Sequence, residues 1–81
     1  MVRKIKSYNF KFDYNMFQND VIAFVEAYQL KHTDVDNLAG VGNGTTSKII
    51  RGEYTNHKME TWLGIANAMD IDVRTYFVLD V

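Results

Sequence analysis

The sequence predicts a mainly α-helical domain with one β-strand added ahead of its helices, and three observations predict it. Two short helical patterns flank a glycine-containing turn between Lys31 and Gly52, longer apolar stripes at helical spacing lie before and after that pair, and the N-terminal segment alternates with period two. The composition agrees with a single domain spanning 1–81, of which 47% is hydrophobic. A chain of this size buries only about 60% of its unfolded surface, so association with a second copy would help its stability.

In chain order, Lys4 to Tyr14 places Tyr8, Phe10, Phe12 and Tyr14 on one side and Asn9, Lys11 and Asp13 on the other, as a strand does. The region 1–14 is therefore an N-terminal strand or arm. A lone strand leaves its backbone groups unpaired, and the segment Tyr76 to Val81, rich in aromatic and β-branched residues, is the candidate partner, in the same chain or in a dimer mate. The alternative for this arm, with Arg3, Lys4, Lys6 and Lys11, is contact with DNA. Asn15 with Gln18 can cap a first helix whose face carries Phe17, Val21, Phe24, Val25 and Tyr28. The helical domain then runs over 15–78, with the C-terminal strand at 76–81.

The central pair of helices begins with Thr33 and Asp36 at the spacing of an N-terminal cap, followed by Val35, Leu38 and Ala39 on one face. Gly40 ends that helix where positive φ is needed, and Val41 returns an apolar side chain inward. The second helix can start at Gly42 or Asn43 and continue through Ile49 and Ile50 to Gly52. Two helices joined by so short a turn make a helix-turn-helix, whose second helix can enter a DNA major groove. Thr45, Thr46, Ile49 and Ile50 fall on its inward face, which leaves Asn43, Gly44, Ser47, Lys48 and Arg51 outside. Met59, Trp62, Leu63, Ala66 and Met69, widened by Ile65, form the stripe of a further helix, and Asp72 can cap a last one with Val73, Tyr76 and Phe77 facing inward.

From Val21 to Phe77 the chain resembles the phage-repressor type of helix-turn-helix, the lambda-repressor-like, XRE or Cro/CI family. Phe24, Val35, Ala39, Gly40, Val41, Ile49 and Gly52 fall on that family's apolar and glycine positions, and METWLGIANAMDIDVRTYF from Met59 to Phe77 matches its fourth and fifth helices after a loop one residue longer. The resemblance implies a five-helix domain to which the N-terminal strand is an addition. Asp36 stands where that family has a small alanine, and Thr46 where it has an aliphatic residue. Val25 and Ile50 occupy the positions of an arginine and a glutamate that often pair there; an apolar contact can replace an ion pair at little cost, so these two side chains are expected to touch.

The resemblance also implies roles. Asn43, Gly44 and Lys48 match residues that meet base edges, with Asn43 suited to adenine and Lys48 to guanine; Ser47 is a neighbouring base-contact candidate. Thr45 and Arg51 suit phosphates, as do Thr55, Asn56, His57 and Lys58 in the loop after the recognition helix. His32 matches a glutamine that touches phosphate, and is otherwise a surface histidine. The expected function is a sequence-specific, double-stranded-DNA-binding transcriptional regulator, a repressor of phage or mobile-element type, acting as a homodimer through the recognition helix at 43–51.

Charge and motifs limit the alternatives. The formal net charge is −1, which counts against a cationic coat, yet Lys48, Arg51, His57 and Lys58 cluster around the recognition helix with only Glu53 against them. This acidity favours a second class of function, a protein-interaction module of antirepressor type that keeps the fold without binding DNA. GVGNGTTSK is not a phosphate-binding loop, because Thr45 rather than Lys follows Gly44 and no strand precedes it. No cysteine and only two distant histidines give no metal signature, so no metal or cofactor is expected. No nucleophile, base and acid can be placed together, so an enzyme is not expected, and no small-molecule substrate is evident. The absence of a long apolar run or leader pattern leads to a cytoplasmic expectation, with no membrane partner.

Overall fold

Phe10, Lys11 and Phe12 form β1 (Phe10–Phe12), which pairs antiparallel with β2 (Phe77–Leu79) of the same chain, Phe10 opposite Leu79 and Phe12 opposite Phe77. The structure, a computed structural model, describes residues 10–53 and 58–79. The earlier part of the expected strand, together with Asp80 and Val81, lies outside the described residues. Residues directly opposite in an antiparallel pair share a face, so Phe10, Phe12, Phe77 and Leu79 lie on one side of this ribbon. Phe12 anchors it: its ring stacks on Trp62 with centroids 3.9 Å apart and planes 12° from parallel. The edges of Tyr14, Phe17 and Phe77 surround it.

The strand stops earlier than the alternation predicts, and Tyr14 is already helical. The Asp13 N–H donates to the Tyr76 carbonyl at 2.6 Å, and the Asp13 carboxylate accepts from the Met16 N–H at 3.0 Å. One residue thus closes the ribbon and caps α1 (Tyr14–Ala27), a role expected of Asn15. Then follow α2 (His32–Ala39), α3 (Thr45–Ile50), α4 (Met59–Ala68) and a 3₁₀ helix (Val73–Tyr76) leading into β2. The domain is mainly α-helical, with four α-helices among the described residues rather than five. The fifth is a 3₁₀ turn because Asp72 caps it through the Arg74 N–H while Phe77 is already committed to β2. Four residues are too few for the α-helical bond pattern to establish itself. Tyr76 accordingly belongs to this turn and not to the C-terminal strand.

All four α-helices end on the same closure. A residue with left-handed φ, Gln29, Gly40, Gly52 or Asp70, donates to the carbonyl three residues back, and the next residue donates to the carbonyl five back. This paired pattern satisfies carbonyls that the helix leaves open, and it returns Leu30, Val41 and Ile71 onto the core.

The core is Phe17 and Val21 from α1, Val35 from α2, Ile49 from α3, Ile65, Ala66 and Met69 from α4, and Tyr76. Val25 and Ile50 are half-buried against it. Several stripes are rotated from expectation. Leu38 is 64% exposed because Asp36, with Val35, takes the inward side of α2; Met59 and Leu63 are exposed because Ile65 and Ala66 take that side of α4. Tyr28 is 68% exposed beyond the end of α1. The Tyr76 hydroxyl donates to Asp20 at 2.6 Å. Burial, and then this hydrogen bond, push its pKa above the ordinary phenol value. α4 lies against α2 at Gly64, where a Cβ would collide with the Ala39 carbonyl oxygen. No helix among the described residues is long and apolar enough to cross a membrane.

Candidate nucleic-acid interface

The two helices of the predicted motif are α2 and α3, joined by a turn through Gly40 to Gly44. Helix α2 does not start on the expected Thr33 and Asp36 pair. The cap lies two residues earlier, where Asp34 Oδ2 accepts from the Lys31 N–H at 2.9 Å. Asp36 has turned inside, and its carboxylate is almost fully buried.

Helix α3 is six residues long and begins at Thr45, not at Gly42 or Asn43. Gly44 occupies the cap position with φ of 89°, a conformation that favours glycine, and has no side chain to accept from the first-turn amides. Asp36 supplies that acceptor from α2. Its Oδ2 takes the Gly44 N–H at 3.0 Å, and its Oδ1 takes the Thr46 N–H at 2.9 Å and the Thr46 hydroxyl at 2.7 Å. Asp36 and Thr46, two of the positions that depart from the phage-repressor pattern, are thus partners of each other. At the other end of α3, Gln18 Nε2 of α1 donates to the Ile50 carbonyl at 2.9 Å.

These ties fix what α3 presents. Thr46 and Ile49 are buried, while Thr45 and Ile50 are half-buried. Asn43, Lys48 and Arg51 are exposed, and Gly44 and Ser47 are half-exposed. The structure brings His32 and Ser47 together: the His32 Nδ1 and the Ser47 Oγ are 2.7 Å apart, so the first residue of α2 and the middle of α3 form one polar surface. Lys31, next to His32 in sequence, is exposed. Arg51 is paired, its guanidinium donating from Nε at 3.1 Å and from one terminal nitrogen at 2.8 Å to Glu53. That pair is solvent-exposed and worth little to stability, but it offsets one of the expected phosphate-binding charges. Lys58 is exposed just before α4, at its cap position. Thr55, Asn56 and His57 lie outside the described residues.

Chemically, this surface offers one amide side chain, a hydroxyl tied to an imidazole, and the cations Lys31, Lys48 and Arg51. Such a set can hydrogen-bond base edges and phosphates. Among the described residues no group of three His, Asp or Glu side chains is placed to hold a metal ion. Sequence reasoning set Glu53 against the basic cluster without its pairing to Arg51, and missed Asp36 and Gln18 as parts of the site. Two polar residues at adjoining interior positions, Asp36 and Thr46, were the signal that could have shown the first. No protein-family model matches the chain, and comparison with curated proteins and with solved structures likewise returns no match.

Proposed function

We propose that the protein is a sequence-specific DNA-binding regulator of the phage-repressor type, whose α3 enters the major groove. The observation that carries this reading is the arrangement of α2 and α3. Two short helices are tied together by a buried carboxylate, with Ser47 and Lys48 on the outer side of the second and Asn43 exposed in the turn just before it. In this reading Asn43 and Lys48 meet base edges, with Gly44 close to the groove floor and Ser47 beside them. His32, Thr45, Arg51 and Lys58 serve phosphates. Two copies would occupy a two-fold symmetric site, as helix-turn-helix dimers do. Occupying that site would repress the neighbouring promoter. The protein acts by binding and not as an enzyme.

The test begins with selection of duplexes from a random pool, followed by fluorescence anisotropy of the winning duplex at two salt concentrations. Lys48→Ala and Asn43→Ala should each weaken binding by about 5- to 150-fold, the range of a base contact worth about 1 to 3 kcal/mol. Binding should also weaken as salt rises. Failure to enrich any duplex at low salt would refute the reading.

One observation favours a second reading, a protein-interaction module. Phe10, Met59, Val73, Arg74 and Phe77 line an apolar groove in which Phe10 is 61% exposed. A partner protein covering that groove would bind with little sensitivity to salt, which separates it from DNA binding.

A further inference from the structure

The start of α3 is held by a side chain from a different helix, Asp36 of α2. A six-residue helix has too few internal bonds to persist alone. Its direction is therefore set by its ties, Asp36 at the start and Gln18 at the end. The first-turn amides are largely used inside the protein: the Thr45 N–H donates to the Gly42 carbonyl at 3.2 Å, while those of Gly44 and Thr46 go to Asp36. A carboxylate 1% exposed beneath this surface also opposes any approaching phosphate. Asp36 therefore cannot contribute attraction for nucleic acid. It can contribute geometry, because Asn43 directly precedes Gly44 and Lys48 follows Thr46 by half a turn.

We infer that Asp36 is a positioning residue for sequence discrimination: it aims Asn43 and Lys48 at base edges and gives no help to phosphate binding. The inference rests on the DNA-binding reading above. Base contacts need a fixed donor and acceptor geometry, whereas a phosphate contact tolerates movement of a flexible cation. Loosening the start of α3 should then erase selectivity and leave general affinity in place.

Asp36→Asn is the variant that separates the two. Its Oδ1 can still accept from Thr46, but its amide nitrogen faces the Gly44 N–H, donor against donor, so the link to the turn is lost. The experiment compares affinity for the selected duplex with affinity for a scrambled one, in wild type and variant. It also follows amide hydrogen exchange at Gly44 and Thr46. The expected result is a fall of about tenfold or more in the selectivity ratio, roughly the loss of one base contact, with affinity for the scrambled duplex kept or raised. In the wild type both amides should be protected, and the Gly44 amide should exchange faster in the variant.

An unchanged ratio in a folded variant overturns the inference alone, as does rapid exchange of both amides in the wild type. A parallel fall of both affinities with loss of fold assigns Asp36 a purely structural role and overturns it too. Absence of any selective binding by the wild type overturns the DNA-binding reading first, and the inference with it.

Discussion

Replacing Gly64 by alanine sets two physical effects against each other. Gly64 lies inside α4, where alanine is favoured over glycine by about 1 kcal/mol. On helix propensity alone the variant should be more stable. The added Cβ, however, would meet the Ala39 carbonyl oxygen, which is backbone and cannot rotate away as a flexible side chain could. That carbonyl lies at the end of α2, next to the left-handed closure at Gly40, so relief requires α2 and α4 to separate. Overpacking of this kind costs about 1 to 3 kcal/mol. Because the obstacle is backbone, the upper part of that range applies, and the net expectation is a loss of about 1 to 2 kcal/mol after the propensity gain. For a domain of this size that lowers Tm by about 4 to 16 °C. Thermal and urea unfolding followed by far-ultraviolet circular dichroism measure it. A Gly64→Ala protein as stable as wild type, or more so, would refute the close approach of α2 and α4.

Three further outcomes are expected. Asp70 holds a left-handed φ of 59° at the closure of α4, so Asp70→Gly should raise stability by about 0.5 to 1 kcal/mol in urea unfolding, and a loss would contradict the assigned closure. The carboxyl of Asp72 is held at about 2, chiefly by the hydrogen bonds that the Arg74 guanidinium and then the Arg74 N–H donate to it. Because its folded value is depressed, whatever stability it adds is present above the unfolded value near 3.8 and is lost as pH falls toward 2; a carboxyl titration by nuclear magnetic resonance with a midpoint near 3.8 would exclude the pairing. Phe12→Ala should cost about 2 kcal/mol, less than a fully buried phenylalanine, and shift Trp62 emission to the red, since Phe12 is half-buried and stacked on that indole; unchanged emission would mean that β1 is not docked there.

Much of this architecture was legible because local patterns and the core agree. The alternation of Phe10 and Phe12, with a β-branched and aromatic tail after Tyr76, pointed to a strand pair, and the pair forms within one chain. Gly40 signalled the turn and adopts left-handed φ. Other features depend on contacts that no local rule contains. Lys31 with Asp34 and Thr33 with Asp36 have the same spacing, and only the need of the Gly44 and Thr46 amides for an acceptor decides that Asp36 turns inward. Once it does, Leu38 is carried to the surface. The same applies in α4, where packing against α2 and the 3₁₀ helix selects Ile65 over Leu63. Gln29 and Asp70 close helices in a conformation that glycine would have announced. In the candidate interface, the exposed positions Asn43, Lys48 and Arg51 followed from periodicity, whereas the Arg51 to Glu53 pair and the His32 to Ser47 bond join residues whose proximity depends on the end of one helix and the packing of two.

A ¹H–¹⁵N shift map of the uniformly labelled protein during titration with the selected duplex tests most directly whether α3 and the start of α2 bind DNA. If α3 reads the major groove, the largest changes fall on Lys31, His32 and the segment from Asn43 to Arg51, and they shrink as salt is raised. Changes confined to Phe10, Met59, Val73 and Phe77, or none at all, would contradict it.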